Sequence, residues 1–342
     1  MRAYLRTAIV VLLAVGLLAL FLRQADLRQV WTEVKRSRLD LVALAIGVTG
    51  LTYLFRAIRW QYLLAPIGRV SLSNAFRTTV IGFAATALLP ARAGEVLRPW
   101  LLARKEGLSA TAAFATIILE RVLDTVMVLL LFGFYLLIVD RGVTGGDELA
   151  FSRLKLGGLA AAVISVAVLV VMFVLAGHPA TLSRLQRALE RTLPVRLAGA
   201  ATRFLHTFAA GLAIVRQPGR LAAAMLLSVP LWLSIAAGIW LVSHAFRIEL
   251  PFTGSFLVMA LLVVGVMVPT PGAVGGFHYF YRLGVTAFYS APNDRAVGAA
   301  IVLHAVSFVP VAVAGLIFLT QEGLSLTRVG GLVRAGRAER AA

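Results

Sequence analysis

Long apolar stretches alternate with short charged ones along this chain. The apolar runs cover Thr7–Leu22, Leu41–Phe55, Ala112–Val139, Leu156–Ala176, Leu221–Ala245 and Val297–Leu319. Each reaches or approaches the roughly 20 residues a helix needs to cross a bilayer. The short alternating segments of a membrane barrel are not seen. The pattern therefore predicts an all-α, polytopic membrane protein with about six full spans. Two further apolar stretches are broken. One, between Phe76 and Ser109, is interrupted at Leu88-Leu89-Pro90-Ala91-Arg92-Ala93-Gly94-Glu95-Val96-Leu97-Arg98. The other, between Phe252 and Tyr289, is interrupted at Pro269-Thr270-Pro271-Gly272-Ala273-Val274-Gly275-Gly276-Phe277-His278. Irregular, charged backbone at membrane depth is tolerated only where it is buried in protein or lines a cavity. Both stretches are expected to be re-entrant helical hairpins, which brings the hydrophobic segments to about eight.

Composition agrees. Of 342 residues, 60% are hydrophobic and 14% charged, against about 25% charged in a soluble protein. There is no cysteine, which excludes disulfides, thiol catalysis and thiolate metal sites. The formal charge is +18, and all but three of the 33 basic residues (Lys35, Lys105, Lys155) are arginine. This charge suits anionic lipid headgroups, or reflects the positive-inside rule with an arginine-rich composition. It is scattered over short loops, which argues against a nucleic-acid partner.

Loop charge predicts orientation. Gly177–Arg220 holds Arg184, Arg187, Arg191, Arg196, Arg203, Arg216 and Arg220 against Glu190. The tail holds Arg328, Arg334, Arg337 and Arg340 against Glu322 and Glu339, and Arg56–Arg77 holds four arginines and no acid. These segments are expected to be cytoplasmic, and the acidic Asp140–Glu148 external. The first loop, with Arg23, Arg28, Lys35, Arg36 and Arg38, disagrees. Its Leu27, Val30, Trp31 and Val34 suggest an amphipathic helix lying on the surface. On this topology the first hairpin enters from inside and the second from outside. The two breaks are offset by about 180 positions, as internal repeats would leave them. The expectation is one transmembrane domain, 1–342, of two inverted-topology repeats, 1–150 and 151–325. A basic cytoplasmic tail, 326–342, follows, and both termini are cytoplasmic. The competing reading is that the loop charges fell this way by chance and the hairpins are ordinary crossings.

Several charged motifs interrupt the apolar pattern. Arg56 and Arg59 of Arg56-x-x-Arg59-Trp60 can bind a phosphate bidentately, or snorkel to an interface beside an aromatic belt residue. Arg92, Glu95 and Arg98, spaced by three, are expected on one face of a short helix whose free N–H groups favour an anion. Gly94 permits close backbone approach. Glu120 and Asp124, one turn apart with Arg121 between them, need cationic partners, for which Arg56, Arg92 and Arg98 are candidates. They could line a pocket or only hold helices together. In the second hairpin Pro271, Gly272, Gly275 and Gly276 allow helix ends to face a substrate, followed by His278, Tyr281 and Arg282. His304 reads more readily as a core residue. The five histidines lack metal-ligand spacing, and no Gly-Lys-Ser/Thr completes a phosphate loop. No nucleophile context is visible, and no metal or cofactor is expected.

The set Arg56-x-x-Arg59-Trp60, Pro90-x-Arg92-x-Gly94-Glu95, Glu120-Arg121-x-x-Asp124 and Pro271-Gly272-x-x-Gly275 resembles the lysylphosphatidylglycerol synthase transmembrane region family, also described as flippase-like. The resemblance covers roughly residues 5–320. It implies a multi-pass protein of a bacterial or archaeal cytoplasmic membrane, related to the lipid-flipping part of lysyl-lipid synthases. Those longer proteins append a soluble transferase domain, for which this sequence leaves no room, so the synthase activity is not expected. The resemblance also implies an acidic residue where His278 stands, so this chain departs from the family there, with a less acidic and titratable side chain.

The expected function is a flippase for a phospholipid or lipid-linked polar substrate, working by alternating access of inverted repeats. Arg92, Arg98 and Arg121 would bind a lipid phosphate, and Glu95, Glu120 and Asp124 would position them or bind an amine headgroup. The partners would be anionic or phosphate-bearing lipids. The alternatives are a membrane enzyme using these carboxylates on lipid headgroups, and a non-catalytic partner of a separate membrane or cytoplasmic transferase.

Overall fold

The computed structural model describes residues 12, 16, 18–19, 21–23, 25–89, 92–139, 148–177, 179–192, 194–267 and 270–323. Most of the expected first span, Pro90, Pro269, the acidic 140–147 segment and the basic tail lie outside the described residues. Among the described residues the chain is helical throughout, without strands. The helices are α1 (Leu27–Lys35), α2 (Leu39–Leu64), α3 (Leu72–Leu88), α4 (Gly94–Glu106), α5 (Ala110–Val139), α6 (Glu148–Gly177) and α7 (Pro179–Thr192). They continue with α8 (Val195–Gly211), α9 (Pro218–Ala245), α10 (Gly254–Met267), α11 (Gly276–Tyr289) and α12 (Asn293–Gln321). Short 3-10 turns cover Ala213–Arg216 and Pro271–Ala273.

Among the described residues, four helices hold segments long and apolar enough to cross a membrane: α2, α9 and α12 over their full length, and Leu156–Val174 of α6. They match four of the six expected spans. α5 has 30 residues, about 45 Å at the usual rise, and carries the charged triplet inside it. The helices present bare apolar side chains outward: Leu137 on α5 is 85% exposed and Leu226 on α9 is 70% exposed. Such a surface is a liability in water and ordinary in lipid. The chain is a multi-pass membrane protein.

α1 is the amphipathic helix the first loop predicts. The Asp26 carboxylate caps it, accepting from the backbone N–H groups of Arg28 and Gln29. Val30 is buried while Trp31 is 60% exposed, with Lys35 over its ring.

Each interrupted stretch forms a pair of packed helices, α3 with α4 and α10 with α11. The first pair is tied at its open end. Glu106 accepts from Ser71 N at 3.0 Å and Asn74 Nδ2 at 2.8 Å. Gly107, at φ 67°, then ends α4 in the left-handed conformation common past helix C-termini. Both pairs close on a glycine–glycine contact. A Cβ on Gly94 would collide with the Gly82 carbonyl, and one on Gly276 with the Gly265 carbonyl. No side chain larger than hydrogen allows backbones this near.

Packing between the elements is reciprocal. α2 lies along α9. The first helix of each pair packs on a long helix far away in sequence: α3 on α12, and α10 on α5. The short helices α1 and α8 pack on α12 and α5 respectively.

Candidate functional site

Three elements bring six charges into one cluster. α2 supplies Arg56 and Arg59, α4 supplies Arg98, and α5 supplies Glu120, Arg121 and Asp124. The Arg59 and Glu120 side chains are fully buried, and Arg56, Arg98 and Asp124 nearly so. Charges at such depth are sustained only by partners. Arg98 Nη1 donates to Glu120 Oε1 at 3.0 Å. Arg59 Nη2 lies 2.7 Å from Asp124 Oδ1, and its Nη1 donates to Ser228 Oγ at 2.8 Å. Arg56 Nη1 lies 3.6 Å from Glu120 and 3.5 Å from Asp124. Arg121 reaches Glu120 at 3.4 Å and Asp124 at 3.6 Å. One oxygen, Glu120 Oε1, faces all four guanidiniums.

Aromatic rings wall the cluster. The Arg98 guanidinium stands 3.8 Å from the centroid of the Trp60 ring. Phe83, on α3, faces Arg56 at 4.7 Å, Arg121 at 5.9 Å and Arg98 at 6.0 Å. Rings at this range contribute cation–π attraction while excluding water. Trp232, on α9, donates its indole N–H to Asp124 Oδ1 at 3.1 Å.

The guanidiniums keep donors to spare. The Nε atoms of Arg56, Arg59, Arg98 and Arg121, and Arg98 Nη2, are buried without a hydrogen-bond acceptor, and Glu120 Oε2 and Asp124 Oδ2 are buried without a hydrogen-bond donor. A buried, unused charged donor is expensive, so an acceptor-rich anion would be stabilised here.

Arg92 and Glu95 stand beside this cluster rather than in it. They form a loose pair at 3.8 Å with side chains 39% and 35% exposed, matched by Arg121 at 39%. Arg92 is not on the helix face that its spacing suggests. It precedes α4 with φ 51°, because the helix starts only at Gly94, where the chain must pass Gly82. Its Nη2 donates to the carbonyl of Val266, near the end of α10. That bond uses one of the carbonyls a helix C-terminus leaves open, and it straps the first hairpin to the second.

The second set of expected site residues gathers elsewhere. Gly272 (φ 60°), Ala273 (φ 56°) and Gly275 (φ 89°) turn the chain through left-handed backbone. Gly272 sits where a Cβ would come within 3.6 Å of the Ala87 carbonyl, so the two hairpin tips meet. His278 Nδ1 accepts from Gly275 N at 3.4 Å, reaching back over the start of α11 as a capping Glu or Gln would. His304 Nε2 lies 2.7 Å from the Gly272 carbonyl, and the two imidazoles pack with centroids 4.6 Å apart. Both serve the turn directly, and Gly276 serves the helix contact. Arg282 points away, over the rings of Phe21 and Tyr279.

All six cluster charges stand out in the sequence, whereas Phe83, Ser228, Thr116 and Trp232 do not. Trp60 suggested an interface residue, yet it is fully buried and donates to Thr116 Oγ1 at 3.0 Å. Ser228 and Trp232 lie one turn apart in a long apolar span, a spacing that could have flagged one polar face on α9. Among the described residues, no group of three or more His, Asp or Glu side chains could hold a metal ion.

A family model described as the lysylphosphatidylglycerol synthase TM region matches residues 7–315. No curated protein matches the chain.

Proposed function

Because the chain belongs to the lysylphosphatidylglycerol synthase TM region family, we propose that it carries a lipid with an anionic, phosphate-bearing headgroup across the cytoplasmic membrane. The observation that carries this reading is the set of buried guanidinium N–H groups left without acceptors in the cluster of Arg56, Arg59, Arg98 and Arg121. Glu120 and Asp124 hold those arginines in place. Arg121, with Arg92 and Glu95 beside the cluster, all partly exposed, would form the entrance.

Alternating access of two inverted halves would supply the movement. Three features support a pseudo-twofold relation: the reciprocal packing of α3 on α12 and α10 on α5, the matched glycine contacts, and the repeated order of long helix, helix pair, long helix. The matched glycines are offset by about 180 positions, as the breaks are. The hairpins are taken as re-entrant, and both termini as cytoplasmic. The contact of Arg92 with Val266 then spans the two halves and would have to open during a transport cycle.

The test is purified protein in vesicles holding fluorescent lipids, read by a leaflet-accessibility assay across headgroups. Anionic lipids should change leaflet faster than in protein-free vesicles. Arg92→Ala and Glu95→Ala should abolish that gain while the protein still folds. Equal rates with and without the wild-type chain would overturn the transport reading.

A further inference from the structure

We infer that the headgroup taken by the arginine cluster is a phosphate monoester, bearing two negative charges, rather than a phosphodiester or an amine-bearing group. This rests on the proposed passage of a lipid through that cluster. Every element around the cluster enters its charge balance. α2 brings Arg56 and Arg59, α4 brings Arg98, and α5 brings Arg121 with Glu120 and Asp124. α3 presents Phe83 and α9 presents Ser228 and Trp232, none of them charged. Four cations thus face two anions. Adding the entrance pair Arg92 and Glu95 changes nothing, since they cancel.

An excess of two positive charges in one cluster, buried except for the partly exposed Arg121 at its edge, is costly, because an uncompensated buried charge destabilises far more than a paired one. A phosphate monoester brings close to two negative charges at neutral pH and three strong acceptor oxygens. Arginine binds such oxygens bidentately, and the unused donors are guanidinium nitrogens: four Nε atoms and Arg98 Nη2. A phosphodiester brings one charge and leaves the cluster positive. A lysyl ester of phosphatidylglycerol adds two ammonium groups to its one phosphate charge, so it would deepen the excess. The cluster therefore selects against the very lipid for which the family is named.

The experiment uses the purified full chain in phosphatidylcholine vesicles with traces of fluorescent phosphatidic acid, phosphatidylglycerol or phosphatidylcholine. A parallel arm measures the melting temperature of the detergent-solubilised protein with inorganic phosphate. Phosphatidic acid should cross at least tenfold faster than phosphatidylglycerol at pH 8. The preference should collapse at pH 5, where the monoester, with a second pKa of about 6, keeps a single charge. Ser228→Asp places a carboxylate against Arg59 and lowers the excess. It should raise the melting temperature without ligand and slow phosphatidic acid at least tenfold. Should that variant not fold, Arg121→Gln at the entrance lowers the excess from a partly exposed position and should narrow the preference.

Phosphatidylglycerol crossing as fast as phosphatidic acid would overturn the monoester inference and leave the transport reading standing. Stabilisation by inorganic phosphate at pH 8 but not pH 5, with no lipid moving, would keep the ligand chemistry, assign it to free phosphate and end the transport reading. Neither lipid movement nor phosphate stabilisation would end both.

Discussion

Arg59 and Arg121 carry the same guanidinium in opposite settings. Arg59 is fully buried between Asp124 and Ser228, so Arg59→Ala takes the closest cation from Asp124, leaving it Arg56 at 3.5 Å and Arg121 at 3.6 Å, and empties a buried site. It should cost about 3–5 kcal/mol, read by thermal unfolding in detergent, and Arg59→Met with Asp124→Leu should recover much of the loss. Arg121 is 39% exposed. Its pairs resemble surface ion pairs, worth at most about 1 kcal/mol, so Arg121→Gln should leave stability nearly unchanged and slow transport. Equal destabilisation by both would show that the cluster is only scaffolding. The six charges were legible in the sequence because charge inside apolar runs demands explanation. Their pairings were not, since spacing along one helix says nothing about which neighbour it meets. Phe83 and Trp232 were invisible for the complementary reason: an aromatic residue in an apolar span looks the same whether it faces lipid or a guanidinium.

The helix pairs depend on positions that no charge marks. Gly94 was readable as a point of close approach, but its partner Gly82, inside an apolar helix, was not. The match appears only once α3 and α4 fold against each other. Gly94→Ala should prevent that closure and sharply reduce folded protein, seen as loss of the monodisperse species on size exclusion. Gly133→Ala is the control. A Cβ there meets nothing within 4 Å, and alanine suits a helix by about 1 kcal/mol better than glycine, so stability should hold or rise. Comparable damage from both would remove the packing explanation. Elements with a strong local signal, such as α1 and the long spans, were legible in outline. The start of α4 at Gly94, which leaves Arg92 outside the helix, was set by a contact with another helix and had no local signal.

At the level of the molecule, the meeting of the two hairpin tips is the feature most open to test. The chain has no cysteine, so Ala87→Cys with Gly272→Cys offers a single pair for a short bifunctional thiol reagent. Joining them should stop transport, and cleaving the linker should restore it. Transport that continues through a closed linker would mean that the tips need not separate. Four of the six expected spans are found as long apolar helices, because length and hydropathy are local properties. Inversion of the halves was read from loop charge, which is a property of segments between the helices and carries no information on which helices pack together, such as α3 on α12.

That packing also bears on how the protein is made. The charges of the cluster all lie between Arg56 and Asp124, so they can find one another while the chain is still being synthesised. The apolar flank of α3 is different. Its partner α12 begins at Asn293, and at about 5–20 residues per second it leaves the ribosome some ten seconds or more later. Until then the first hairpin has its electrostatic partners but no mate for its outer face. It must be sheltered by lipid or by the insertion machinery. Slowing or truncating synthesis before α12 should therefore leave a first half that is inserted, charge-paired and open to proteolysis at the hairpin. Supplying residues 151–342 as a second polypeptide should rescue it.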